Sequence, residues 1–145
     1  PVSISNDYRD ISRKLIVDCL RSNSLMKHIR HNIKPRTPYK PGNHSPWLRN
    51  ELNGLDDMGL LSDIISQLEQ GKRGIPVLIK QYLKLGGRFL EFNVDRDFND
   101  ALDGLIVVDL YETERELLEY FMGKEPAAAY LERFSDRIDT IQRAS

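Results

Sequence analysis

Two neighbouring segments set the limits on the fold. Arg88–Val94 (RFLEFNV) alternates apolar and polar residues, whereas Gly104–Leu110 (GLIVVDL) contains a β-branched apolar run. The first pattern suits a half-buried strand and the second a fully buried one. The polar turn region Asp95–Asp103 separates them, so the pair predicts an antiparallel hairpin with a long loop. A third short strand is predicted at Val2–Ser5 (VSIS). The rest of the periodicity is helical. The expected fold class is α+β, helix-rich, with a small and mostly antiparallel sheet.

The helices follow from spacing and breakers. Asn6 and Asp7 offer turn and N-cap chemistry, and Ile11, Leu15, Ile16 and Leu20 share one helical face over Tyr8–Arg21. A weaker stretch carries Leu25, Met26, Ile29 and Ile33 and ends before Pro35. Residues 35–47 contain four prolines and read as a loop that Trp47 and Leu48 anchor. Leu55, Leu60, Leu61, Ile64, Ile65 and Leu68 form a second stripe, stopped at Gly71. A third helix opens with Pro76 in its first turn, presents Val77, Leu78, Tyr82 and Leu85, and ends at Gly86-Gly87. Thr113 and Glu116 have capping-box spacing for a helix that reaches Phe121 and stops at Gly123. A last helix is expected over Ala127–Ala144, with Leu131, Phe134, Ile138 and Ile141 in phase.

The 145 residues carry a formal net charge of −1, but the two ends of the chain differ sharply. Residues 1–50 hold ten Lys/Arg against three Asp/Glu, and residues 51–145 hold eleven against nineteen. No acidic residue lies between Asp18 and Glu51. A window of that kind attracts phosphate, acidic headgroups, nucleic acid or an acidic protein, or else pairs with the acidic half of its own chain. No apolar run approaches the ~18–20 residues of a membrane span, and the opening PVSISNDY lacks signal-peptide character. The single cysteine, Cys19, cannot close an internal disulfide, which permits a reducing compartment. A chain that opens at Pro1 suggests a piece of a longer protein.

The motifs that suggest chemistry are weak when read alone. His28, His31 and His44 match no zinc-ligand spacing. Asp95, Asp97, Asn99, Asp100 and Asp103 resemble a calcium loop until the required Gly and Glu positions are found to hold Asp100 and Ile106. Turn formation is the better use of these residues. Gly71-Lys72-Arg73-Gly74 lacks the phosphate-loop spacing. Basic residues interleave with Tyr39 and Trp47, yet no nucleic-acid recognition module accompanies them, and nucleic acid is not the expected partner.

Residues 1–22 and, more closely, Gly74–Leu110 resemble the C-terminal part of the hemolysin-like branch of GNAT-type N-acyltransferases. The shared pattern is a P-x-L-I/L-K-x-Y-L-x-L-G helix, a strand, D-x-D-F-N and a second strand ending near Asp. It falls here at Pro76–Gly86, Arg88–Val94, Asp95–Asn99 and Gly104–Asp109. Arg96 stands where many relatives are expected to have proline. The resemblance implies a partial GNAT-like region over 1–111, carrying a basic, proline-rich insert at 23–50, and a helical extension over 112–145. VSIS would be the strand after which such sheets splay, and residues 88–110 the closing strands. The family's Q/R-x-x-G-x-G/A loop occurs nowhere in the chain. The expectation is therefore that this segment alone is inactive and works within a longer enzyme.

That enzyme would move a fatty acyl group from acyl carrier protein or coenzyme A to an amine in lipid synthesis. It would need no bound cofactor beyond the thioester donor. The amine must lose a proton, and the developing oxyanion needs donors. Asp95, Asp97 and Asp103 are the candidates for positioning the acceptor amine. Arg30, Lys34, Arg36, Lys40, Lys80 and Arg88 are the candidates for contact with the donor, another anion or the membrane. Acyl carrier proteins are acidic, so the basic window suits them; an anionic inner-membrane surface is its other natural use, with a cytoplasmic location. The alternative is a non-catalytic docking module that uses segment 21–49 against an acidic protein or membrane. A short sheet with an unpaired edge also invites a homodimer.

Overall fold

A computed structural model of the chain describes residues 1–22, 32–40 and 57–143; for 22 and 134–143 it describes the backbone only. The expected helix around Leu25–Ile29, the Trp47–Leu48 anchor, Leu55 and the three histidines lie outside the described residues.

Five helices and three strands make an α+β fold among the described residues. In chain order they are β1 (Val2–Ile4), α1 (Asp10–Ser22), α2 (Met58–Leu68), α3 (Val77–Lys84), β2 (Arg88–Asp95), β3 (Ala101–Val107), α4 (Arg115–Met122) and α5 (Lys124–Arg143). The sheet order is β1-β3-β2, and both pairings are antiparallel. Val2 faces Gly104, and Ile4 faces Leu102; Phe92 also faces Gly104, and Val94 also faces Leu102. Period-two alternation thus puts Val2, Ile4, Phe92, Leu102 and Gly104 on one side. A shift in register between Phe89 and Glu91 keeps Phe89 and Phe92 both buried. Their rings stack at 5.6 Å, and Gly104 leaves the space they occupy.

The hairpin stands, but its second strand lies three residues earlier than the sequence suggests, and it is not fully buried: Leu105 is 41% exposed. Leu102 is buried in the core whereas Leu105, one step off that alternation, is exposed, so the apolar run does not lie wholly inside. The turn is also tighter than expected. The Asp95 carboxylate accepts from the Asp97 and Phe98 amides, and Asn99 and Asp100 both take positive φ. That local chemistry frees Ala101 to begin the strand.

α1 is buried around most of its girth. Leu15, Ile16, Val17 and Leu20 enter the core, and Ser12, Arg13 and Lys14 are buried as well. The charged pair survives burial because each has a partner. Lys14 pairs with Asp18, and Arg13 donates to Asn6 Oδ1 at 2.5 Å and to the Asp100 carbonyl at 3.0 Å.

α2 starts at Asp57, whose Oδ1 accepts from Gly59 N at 2.7 Å. It ends through left-handed Gln70 and Gly71, the expected stop. The apolar face of α3 differs from the one read from sequence. Val77 and Leu78 are exposed, and Ile79 is fully buried. Buried Ile75 sets the phase, which selects positions 75, 79, 82 and 83. Gly86 has a φ of 76°, and a Cβ on Gly87 would lie 2.5 Å from the Tyr82 carbonyl oxygen, so both glycines are required in the turn.

Thr113 is not a helix cap. Its hydroxyl is bonded to the carbonyls of Leu85 (2.9 Å) and Asp109 (3.1 Å), tying the α3 end to the segment after β3. α4 begins at Arg115 without a side-chain cap and stops at Gly123, whose φ is 89°. α4 and α5 pack on each other and bury Leu118 and Ala127 apart from the main core.

Candidate functional site

The described part of the proline-rich segment is held to the sheet. Residues 36–40 lie along the outer edge of β2. Val94 N donates to the Thr37 carbonyl at 2.8 Å, Tyr39 N to the Phe92 carbonyl at 3.3 Å, and Thr37 N to Asn93 Oδ1 at 2.7 Å. Pro38 bridges Asn93 antiparallel to the strand, at a position where its missing N–H is harmless. This strap covers one edge of the sheet. The outer edge of β1 has no strand partner among the described residues.

Arg13 lies beneath the strap. Its guanidinium sits 5.8 Å from the centre of the Tyr39 ring while it holds the Asp100 carbonyl. Burial pushes the Tyr39 phenol above its ordinary pKa, against the lowering effect of Arg13, so the ring packs as a neutral group. The strap and the hairpin turn are thereby fixed to the same buried arginine.

Between strap and turn runs a groove of about 760 Å³, with Arg36, Lys40, Arg96 and Asp100 on its walls. A second depression of about 410 Å³ shares Arg36 and Arg96 and adds Asp95 and Asp97. Arg36, Lys40 and Arg96 are exposed and make no ion pair among the described residues. A third depression of about 260 Å³ is lined by Lys34, Glu91, Asp103 and Leu105.

The chain matches no family model, no curated protein and no solved structure.

The residues singled out from sequence divide among these places. Asp95 caps its own turn, as its Asx chemistry predicts, and Asp97 is exposed beside it. Asp103 accepts from Ser3 Oγ at 2.6 Å across the β1–β3 pair and lines the third depression. The three carboxylates therefore do not converge, and Asn93 borders both depressions that hold them. Arg36 and Lys40 meet in the main groove, and Lys34 lies in the third depression. Lys80 reaches Ser62 Oγ at 2.8 Å and ties α3 to α2. Arg88 pairs with Glu112 at 3.0 Å, at the opposite end of β2 from the groove. Arg30 lies outside the described residues.

Arg96 is the residue that sequence reading missed as a binding group. Between Asp95 and Asp97 it is the single cation of an acidic turn. Only the strap brings Arg36 and Lys40 to its side. Among the described residues, no three His, Cys, Asp or Glu gather to ligate a metal, and no helix is long and apolar enough to cross a membrane.

Proposed function

We propose that this chain is the sheet-closing part of a larger acyltransferase, which moves a fatty acyl group from acyl carrier protein or coenzyme A to an amine. One observation carries the reading. The two stretches that resemble the hemolysin-like N-acyltransferases are some fifty residues apart in sequence, yet β1 from the first pairs in register with β3 from the second. The outer edge of β1, which has no strand partner among the described residues, is where the remainder of such a sheet would pair. The cations of the groove, which make no ion pair among the described residues, suit an acidic carrier protein. Asp97, beside Arg36 and Arg96, is the carboxylate best placed to position an amine, since Asp95 and Asp103 are engaged in the turn and the sheet. Work at a cytoplasmic membrane face agrees with a lipid product.

The test is acylation by the full-length protein, with acyl carrier protein or coenzyme A thioesters as donors and small amino acids as acceptors. An N-acyl amino acid in the mass spectrum supports the proposal. Asp97→Asn should lower turnover, and Arg36→Glu with Lys40→Glu should raise KM for the carrier-protein thioester. Absence of N-acyl product from either donor class overturns it.

A docking module is the second reading, favoured by the exposure of Lys34, Arg36 and Lys40 on a fixed strap. It requires salt-sensitive binding to an acidic protein or to anionic vesicles, lost when those three are neutralised. No binding at low salt removes it.

A further inference from the structure

We infer that the groove between the strap and the hairpin turn is a phosphate site, built by Arg36, Lys40 and Arg96. The inference holds whether or not the groove serves acyl transfer.

The cations are preorganised. Arg36 and Lys40 flank a segment held by three hydrogen bonds to β2. Arg96 stands on a turn clamped by the Asp95 carboxylate and by Arg13. Arginine backbones held in place lose less freedom on closing onto an oxyanion, and the guanidinium fork matches phosphate oxygens. The side chains spend nothing on breaking existing ion pairs, since they have none among the described residues.

The charge count sets the kind of anion. Arg36, Lys40 and Arg96 against Asp100 leave an excess of two positive charges among the described residues that line the groove. A phosphate monoester carries roughly −1.5 to −2 at neutral pH, which this excess balances, whereas a lone carboxylate would leave a cation uncompensated. Asp95 and Asp97 flank the same two arginines on the far side. They would repel the next phosphates of an extended polyanion, so a small ligand with one phosphate group fits better than a nucleic acid strand.

The experiment is a titration of the chain with inorganic phosphate, followed by amide ¹H–¹⁵N shifts, against sodium chloride at matched ionic strength. The site predicts saturable shifts confined to residues 36–40 and 94–100. Arg96→Ala and Arg36→Ala should each weaken phosphate binding by about tenfold, while Lys72→Ala, at an exposed position beyond α2, leaves it unchanged. Both arginines are exposed, and the unperturbed remainder of each spectrum reports the intact fold. Shifts that do not saturate, that follow chloride equally, or that survive both arginine substitutions overturn the site. Acylation with no phosphate binding would sink this inference alone, and phosphate binding with no acylation would sink only the enzymatic reading.

Discussion

The Arg13 guanidinium donates to the Asp100 carbonyl at 3.0 Å, joining the first turn of α1 to the hairpin turn 87 residues later. The same side chain bonds Asn6 and sits against the Tyr39 ring, so helix, turn and strap share one buried cation. Arg13→Met keeps much of the apolar stem but removes the fork and leaves Asn6 and the Asp100 carbonyl without their donor. Bonds to charged donors contribute roughly 1.5–3 kcal/mol each, and solvent recovers part of that. The expected loss is about 2–3 kcal/mol, read as a lower urea midpoint. Arg13→Lys should recover little of it, because an ammonium cannot span both acceptors. Full stability in the lysine variant would show that charge alone suffices.

Gly104 is the seat of the Phe89–Phe92 stack. A Cβ there would lie 2.6 Å from Phe89 Cε1 and 3.0 Å from Phe92 Cε1. Both rings are buried and cannot swing aside freely. Gly104→Ala should therefore cost about 1–3 kcal/mol by overpacking. Phe89→Leu should absorb part of that cost, so thermal unfolding of the double variant should show less destabilisation than the two single effects combined. Strict additivity would mean that the alanine methyl is accommodated elsewhere.

What the residues disclosed in advance depended on range. The hairpin and the Gly71 and Gly123 stops are local patterns, and they read directly; the stripe of α2 reads only in part, since Leu61, Ile64, Ile65 and Leu68 pack into the core but Leu60 is 49% exposed. The face of α3 misled because Val77 and Leu78 are apolar yet exposed, and only the burial of Ile75 fixes the rotation. Thr113 has capping-box spacing, but a carbonyl 28 residues earlier, that of Leu85, engages its hydroxyl instead. The β3 boundary moved because an Asx turn shortened the loop. The groove was the least legible part. It exists through the bridge between Pro38 and Asn93, 55 residues apart, and nothing in either stretch announces the other.

The strap is held by a side chain as well as by backbone, and this makes its hold testable. Asn93 Oδ1 accepts from Thr37 N at 2.7 Å. Asn93→Ala should cost only about 1 kcal/mol overall, because the sheet and core are untouched. Its local effect should be larger. The Val94 amide, bonded to the Thr37 carbonyl, should exchange faster with deuterium, while core β3 amides keep their protection. Equal exchange at Val94 in both proteins would show that the strap is held without this side chain.

Glu69 gives the fold an acid-sensitive joint between the end of α2 and the start of α1. Burial alone would raise its carboxyl pKa, but the folded state holds it below its ordinary value, with the Arg9 amide, which donates to it at 2.9 Å, and the charge of Arg73 both acting in that direction. The folded state therefore binds this proton less readily than the unfolded chain does. Between the two pKa values the unfolded state carries more protons, so stability rises with pH there. The contribution is complete above the ordinary glutamate range, near about 4.3, and is lost as pH falls through the lowered folded value. Glu69→Gln keeps an acceptor for the Arg9 amide but cannot ionise. It should be less stable than the parent at neutral pH and lose less stability on acidification, so the two urea-midpoint curves converge at low pH. The remaining carboxylates act alike in both proteins and cancel in the difference. Curves that stay parallel from neutral to acid pH would show that the Glu69 charge does not stabilise this joint.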